Sequence, residues 1–187
     1  MSECSDRFTI VADGFSRRVD AVRPADWDNP SPCDGWVARD VVRHLVEWVP
    51  AFFGATVGLE FPAGPSVDDD PAGAWTALRG TIDGFFADPA IAAREVEGPM
   101  GRMPVEQALD MIVTGDVLVH TWDLARATGL DETLDPVEVH RMYEGTEGLD
   151  EVLRSSGHYG PRVIVPGDAD EQTKLLAFMG RDPSPDR

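Results

Sequence analysis

Apolar residues recur at intervals of three and four along several long segments of the chain, a spacing that places them on one face of an α-helix. In residues 5–22 the repeating positions are Phe8, Val11, Phe15, Val19 and Val22. Strand-like sequence is confined to about residues 162–165, Arg-Val-Ile-Val, which is too little for a sheet. The sequence therefore predicts an all-α protein.

Proline, glycine and capping residues divide the rest of the chain into further helices. We expect these helices at about residues 36–57, 71–87, 104–128, 136–154 and 169–179. Pro50 should kink or interrupt the second helix of the chain. Asp70 followed by Pro71 suits the start of the third helix, and Gly129 suits the end of the fourth. Residues 88–103 should be irregular or form a short hairpin.

Length and composition fit one globular domain. The chain has 187 residues, of which 42% are hydrophobic, and this is enough for a sizeable core. We therefore expect an antiparallel four-helix bundle with short extra helices, forming a single domain over residues 1–187. The formal net charge of −18 disfavours binding to nucleic acid and to anionic membrane surfaces.

The N-terminus has no basic segment followed by an apolar one, and no apolar run approaches the roughly 20 residues that span a bilayer. We therefore expect a cytoplasmic protein. The two cysteines, Cys4 and Cys33, form neither a C-x-x-C pair nor a disulfide framework. Cys33 precedes Asp34 and Gly35 in a turn-rich stretch. We interpret it as a reduced, partly buried thiol, with a catalytic thiol as the less favoured alternative.

Asp116 and His120 are four residues apart in the predicted helix 104–128, so their side chains share one face. That face also carries Leu109 and Ile112 and is otherwise apolar, so it should point at the core. A carboxylate buried there needs a compensating charge. A metal ion, an arginine or a protonated histidine would each supply it.

A third candidate ligand, His44, lies on an apolar stretch of the second predicted helix. If the two helices are neighbours, His44, Asp116 and His120 can hold one divalent metal ion. Two imidazoles and one carboxylate suit Zn²⁺, Ni²⁺, Fe²⁺ or Mn²⁺ and leave positions open for water or a substrate. We leave His140, which has charged neighbours, and His158, which lies in a glycine-rich loop, outside this set.

Three segments resemble a known family. Residues 32–45, from Pro-Cys-Asp-Gly-Trp to Arg-His-Leu, are similar to the start of the mycothiol-dependent maleylpyruvate isomerase N-terminal domain, within the DinB-like superfamily. Residues 116–129 resemble its second signature, and Asp168-Ala169 followed by residues 175–183 resembles an actinobacterial branch. This resemblance covers nearly the whole chain. It implies a DinB-like four-helix bundle with a central metal bound by His44, Asp116 and His120.

The chain departs from the family pattern in two ways. The family often has Glu where this chain has Asp116, and the shorter side chain requires a metal closer to the fourth helix or an intervening water. The isomerase also carries an additional C-terminal domain. Because this chain ends soon after Pro183, we expect that domain to be missing, which argues against the maleylpyruvate reaction itself.

Three functions are compatible with these motifs. The first is a metal-dependent thiol transferase or isomerase, in which the metal lowers the pKa of a mycothiol-type thiol that attacks an electrophilic small molecule. The second is a non-catalytic bundle that binds or senses metal, and the third is a metal-free buried hydrogen-bond network. We favour the first, without assigning catalytic residues.

Residues beyond the three ligands can contribute to that function. Asp123 can orient a ligand histidine from one turn away. Arg43 and Arg126 can bind an acidic thiol or substrate, although simple solvation is the favoured interpretation of both. An apolar helix face can also support a homodimer.

Overall fold

The computed structural model describes residues 2–98, 101–146, 148, 150–155 and 160–184, and this part of the chain is predominantly helical. The prediction of an all-α fold is confirmed. The helices are α1 Glu3–Ala21, α2 Ala38–Val57, α3 Pro71–Ala87, α4 Pro89–Ala92, α5 Val105–Ala108, α6 Gly115–Thr128, α7 Pro136–Thr146, α8 Asp150–Ser155 and α9 Glu171–Phe178.

The four longest bundle helices, α1, α2, α3 and α6, pack in a ring. Helix α1 contacts α3 and α6, and α2 contacts the same two helices on the other side. Phe15, near the end of α1, packs against Trp75, near the start of α3, with 4.7 Å between the ring centroids. Phe8, near the start of α1, contacts Phe86, near the end of α3. Helices α1 and α3 are therefore antiparallel.

Helices α2 and α6 are antiparallel as well. Trp36, just before α2, stacks on His120, whereas Trp48, further along α2, bonds to Asp116 one turn earlier in α6. The crossover loop, residues 58–70, returns the chain to the end of the bundle where α2 began, because Asp68 accepts hydrogen bonds from Arg39 and Arg43 in the first two turns of α2. Consequently α2 and α3 run in the same direction, and so do α1 and α6.

Two predicted helix ends are formed by the capping residues expected from the sequence. The Asp70 carboxylate caps α3 by accepting a hydrogen bond from the Gly73 N–H at 2.8 Å. Gly129 ends α6 with φ 68°, a conformation that favours glycine. The structure does not show the interruption expected at Pro50, because α2 continues through it. Fully buried Val49, the preceding residue, holds this part of α2 in the core.

The fourth predicted helix is not one regular α-helix. Between α5 and α6 the chain forms a π-helical segment, Leu109–Thr114. A π turn inserts an extra residue and rotates the helix faces on either side of it. Leu109 is fully buried as expected, but Ile112 is only half-buried and Val113 takes the core position. The prediction that Ile112 points at the core was therefore wrong.

The remaining elements are short. The helix predicted over 136–154 is divided into α7 and α8. Strands β1 (Glu95–Gly98) and β2 (Gly101–Pro104) pair antiparallel, which confirms the short hairpin expected within residues 88–103. The start of that range is instead helical, as α4. Helix α9 packs against α7. Within the described ranges, no helix combines the length and the apolarity needed to cross a bilayer.

Candidate metal centre

His44, Asp116 and His120 come together where α2 faces α6. The Nε2 atom of His44 lies 3.2 Å from Oδ2 of Asp116, and Nε2 of His120 lies 3.4 Å from Oδ1 of the same carboxylate. One potential ligand atom from each residue lies within 4.8 Å of the other two. Helix geometry explains this arrangement, because Asp116 and His120 are one turn apart on α6 and antiparallel α2 brings His44 opposite them.

These separations fit a metal ion. Zinc binds nitrogen and oxygen ligands at about 2.0–2.2 Å, so ligand atoms of a tetrahedral shell lie about 3.3–3.6 Å apart. The 3.2 Å between Nε2 of His44 and Oδ2 of Asp116 is close to that range. One potential ligand atom from each of the three residues lies within 4.8 Å of the other two, which leaves a small adjustment for His120. The two oxygens of the short Asp116 side chain each contact one of the two histidines. The chemistry and the spacing of the three side chains therefore suit a divalent transition metal.

The three side chains differ in exposure. The His120 side chain is 5% exposed, whereas those of Asp116 and His44 are 29% and 31% exposed. The candidate site is therefore closed towards the core and accessible on the side of His44. Two half-buried indole rings flank this histidine, with Trp36 at 5.1 Å and Trp48 at 5.9 Å between ring centroids.

Asp116 is held as a carboxylate. Burial alone would raise its pKa, but the charge of His120 and the hydrogen bond and charge of His44 lower the pKa below its ordinary value. The indole N–H of Trp48 contributes by donating a hydrogen bond to Oδ2 at 2.9 Å. An ionised carboxylate is the form that binds a metal ion.

On its other side, His120 contacts a second carboxylate. Its Nδ1 lies 2.9 Å from Oδ2 of Asp123, whose side chain is fully buried. Burial would raise the pKa of Asp123, but the hydrogen bond with His120 and the charge of Arg181 lower it to about 2. Because an ionised carboxylate only accepts, Nδ1 of His120 carries the hydrogen and donates it. This leaves Nε2 directed at Asp116.

His120 is strongly basic in the metal-free protein. Burial would lower its pKa, but the Asp116 charge and the hydrogen bonds to Asp123 and Cys33 raise the pKa to about 10. At neutral pH the imidazole is therefore protonated on both nitrogens. A metal ion at Nε2 would have to displace one of these protons.

A second group of potential ligands, Cys33, His120 and Asp123, also lies within 4.8 Å. Here the guanidinium of Arg181 already supplies the positive charge. Its Nη2 lies 2.8 Å from Oδ2 of Asp123 and 3.6 Å from Sγ of Cys33. A fixed cation repels a metal ion, so we interpret this group as a hydrogen-bonded cluster. Cys33 is free and half-buried, as expected.

The two arginines considered as substrate ligands are engaged with carboxylates. Arg43 bonds to Asp40 at 3.2 Å and to Asp68 at 2.6 Å. Arg126 donates two hydrogen bonds of 2.7 Å to Glu132. Both arginines would have to exchange these partners to bind an acidic thiol, so the geometry does not favour that function.

The other two histidines of the chain do not belong to the predicted ligand set. His140 lies on the surface, 53% exposed, with Nδ1 at 3.0 Å from Glu171. His158 lies outside the described residues. Sequence reasoning missed two contributors to the site. Trp48 follows His44 by four residues on α2, which is a usable signal, whereas Arg181 has no local signal that links it to α6.

Comparisons with known proteins agree with the resemblance seen in the sequence. Residues 8–125 match the family described as the mycothiol maleylpyruvate isomerase N-terminal domain. Two proteins of Mycobacterium tuberculosis, each called an uncharacterized protein, come from strains CDC 1551 and H37Rv. Each is 30% identical over 174 residues, which cover 90% of this chain and 92% of the relative. No solved structure matches the chain significantly. The chain belongs to the mycothiol maleylpyruvate isomerase N-terminal domain family.

Proposed function

We propose that this protein is a metal-dependent enzyme, a transferase or isomerase that activates a mycothiol-type thiol for attack on an electrophilic small molecule. His44, Asp116 and His120 are the proposed ligands of one Zn²⁺, Ni²⁺, Fe²⁺ or Mn²⁺ ion. One observation carries the proposal. Nε2 of His44, on α2, and Nε2 of His120, on α6, lie 3.2 and 3.4 Å from the two oxygens of the Asp116 carboxylate. The description of the family to which the chain belongs names mycothiol, and this supports the choice of a mycothiol-type thiol.

The exposure of the ligands supports a catalytic site over a purely structural one. Structural zinc sites have four protein ligands, whereas catalytic sites typically have three and keep an open position. Here three side chains converge, and His44 and Asp116 are each about a third exposed. When bound, the metal would supply Lewis-acid chemistry that lowers the pKa of a thiol.

The chain's own residues have distinct functions in this proposal. Asp123 orients His120, which forms the buried side of the site. His44 and Asp116 face the accessible side, where the indoles of Trp36 and Trp48 exclude part of the solvent. We propose that residues 1–187 act as one domain.

A specific observation favours a second candidate, a buried network without metal. Asp116 and Asp123 are ionised, while His120 and Arg181 are positively charged in the metal-free protein. The four charges therefore balance without a metal ion. A bundle that binds or senses metal without catalysis is the remaining alternative, and the experiments below separate all three.

Thiol coordination provides the first test. Cobalt-loaded protein should develop thiolate-to-cobalt charge-transfer absorption when mycothiol is added. The His44→Ala/His120→Ala variant should not, whereas His140→Ala, which removes an exposed histidine, should behave like wild type. Cobalt uptake without any response to mycothiol would favour a non-catalytic metal protein. No cobalt uptake would favour the metal-free network.

Turnover provides the second test. Zinc-loaded protein should accelerate conjugation of mycothiol to a chromogenic aryl halide, used as a model electrophile. The acceleration should disappear in the double variant and persist in His140→Ala. Equal rates in wild type and the double variant would contradict a reaction at this site.

A further inference from the structure

We propose that Arg181, in the segment that follows α9, is a positioning residue of the metal centre and acts on His120 through Asp123. This inference rests on the proposed metal site. Arg181 lies beyond residues 8–125, the part of the chain that matches the family. The C-terminal segment therefore adds to the centre a residue that the matched part of the chain does not contain.

Arg181 contacts both oxygens of the Asp123 carboxylate. Its Nε lies 3.2 Å from Oδ1 and its Nη2 lies 2.8 Å from Oδ2. Two parallel hydrogen bonds of this kind fix the plane of a carboxylate as well as its charge. Oδ2 also accepts the 2.9 Å hydrogen bond from Nδ1 of His120. One buried carboxylate thus joins the arginine to the candidate ligand.

The local backbone places Arg181 at this position. The N–H of Arg181 donates to the carbonyl of Leu176 at 2.9 Å, and its Nη1 donates to the carbonyl of Met179 at 3.2 Å. Gly180 turns the chain after α9 with φ 83°. A Cβ at this residue would lie 3.1 Å from the backbone of Gly160. The close approach and the positive φ both favour glycine here.

Orientation of a ligand histidine depends on the partner of its second nitrogen. In this chain that partner is Asp123, and its side chain is completely buried. Without Arg181, Asp123 would keep His120 and the weak thiol donor of Cys33 at 3.4 Å as partners. The carboxylate could then turn about its side-chain torsions, and Nε2 of His120 would lose its fixed direction towards Asp116.

Zinc affinity is the first measurement, by competition with a chromophoric chelator. Arg181→Gln should weaken zinc binding by about 10–100-fold, the range typical of such supporting partners. Arg181→Lys should restore part of the loss, because it keeps the charge without the paired hydrogen bonds. An unchanged zinc affinity in Arg181→Gln would overturn the proposal.

Arg154→Gln is the matched control. Arg154 holds the same C-terminal segment by bonding to the carbonyls of Gly160 and Phe178, and its guanidinium lies 4.9 Å from the Phe178 ring. Zinc affinity should be unchanged in this variant. An equal loss in Arg154→Gln and Arg181→Gln would show that general loosening of the segment is the cause, and would overturn the positioning role.

A double-mutant cycle tests the route through Asp123. Arg181→Gln should weaken zinc binding much less when Asp123→Asn is already present, because the carboxylate that transmits the effect is gone. Fully additive losses would mean that Arg181 acts on the centre by another route, and the proposal would fail.

Zinc-free protein supplies a readout that does not depend on metal binding. In ¹⁵N–¹H spectra of the imidazole rings, wild type and Arg154→Gln should show a slowly exchanging Nδ1–H signal from His120. Arg181→Gln should lose or broaden this signal. An unaltered signal in Arg181→Gln would overturn the inference. Failure of wild type to bind zinc would count against the proposed function alone, since this signal still reports the orientation of His120.

Discussion

Nε2 of His44 lies 3.2 Å from Oδ2 of Asp116, a contact that joins α2 to α6 across 72 residues of sequence. Trp48 donates to the same oxygen from one turn further along α2. The other oxygen, Oδ1, lies 3.4 Å from Nε2 of His120. The orientation of the Asp116 carboxylate therefore determines how both histidines are presented to a shared ligand.

Trp48→Phe should weaken zinc binding by about tenfold, at the low end of the range for partners that orient a ligand. The variant keeps an aromatic ring and removes the hydrogen bond of 2.9 Å to Asp116. Chelator competition measures the change. Trp75→Phe is the matched control, because it removes an indole hydrogen bond to Ser16 elsewhere in the bundle. Equal zinc affinity in wild type and Trp48→Phe would contradict a positioning function for Trp48.

The stability of the metal-free protein should depend on the protonation of His120. Its pKa is raised from 6.5 to about 10 on folding, so its contribution is complete below about pH 6.5 and is lost as pH rises towards 10. Urea unfolding at several pH values measures this. The stability difference between wild type and His120→Gln should shrink across that window. A difference that stays constant from pH 6.5 to 10 would contradict the raised pKa.

Asp123 should make the stability of the protein depend on pH in the acidic range. Its pKa is lowered from 3.8 to about 2 on folding. The stability that it contributes is therefore complete above about pH 4 and is lost as pH falls towards 2. Asp123→Asn should remove this acid-dependent component in urea unfolding experiments. The same acid dependence in wild type and in the variant would contradict the assignment.

Zinc binding should respond to pH in the opposite sense to the stability of the metal-free protein. Because Nε2 of His120 must release a proton, zinc affinity should rise by about tenfold per pH unit between pH 6 and 8. Chelator competition at each pH, corrected for the chelator's own protonation, gives the slope. Affinity that does not change with pH would indicate that His120 is not a ligand.

A second buried network should stabilise the fold without affecting the metal centre. Arg7 pairs with Asp110 and, at 2.9 Å, with Glu138, and the two carboxylates are almost completely buried. Arg7→Met should lower the free energy of unfolding by about 3 kcal/mol, because it leaves buried charge without a partner. Burial already raises the pKa of Asp110, so the loss should be smaller at acidic pH, where this carboxyl takes up a proton.

Zinc affinity should be unchanged in Arg7→Met. Arg39→Met is the control, since Asp28, its partner at 2.9 Å, is 76% exposed. Arg39→Met should lower the free energy of unfolding by less than about 1 kcal/mol, as is typical of surface ion pairs. Similar losses in the two variants would contradict the distinction between the buried and the surface network.

The regular helices were predictable because their signals are local. The periodicity and the Asp70–Pro71 start gave the bounds of α3, and Gly129 gave the end of α6. The π-helical segment Leu109–Thr114 was not predictable from apolar spacing, since one extra residue changes the face without a distinctive residue type. The π-helical segment does not alter the spacing of Asp116 and His120, because both residues lie in α6, which begins after it.

The residues of the candidate site also differ in whether the sequence predicts them. The spacing of Asp116 and His120 predicts that they share a helix face. The apolar surroundings of His44 and the family resemblance predict that it joins them. Arg181 reaches Asp123 from 58 residues away, through the return of the chain after α9. Contacts of that kind depend on tertiary structure, and no spacing rule in the sequence predicts them.

Metal content of the purified protein, measured by elemental mass spectrometry beside His44→Ala/His120→Ala and His140→Ala, tests the central claim most directly. We expect about one transition-metal ion per chain in wild type and in His140→Ala, and none in the double variant. No metal in wild type, even after addition of Zn²⁺, Ni²⁺, Mn²⁺ or Fe²⁺, would contradict the claim. Full metal content in the double variant would contradict the assignment of His44 and His120 as ligands.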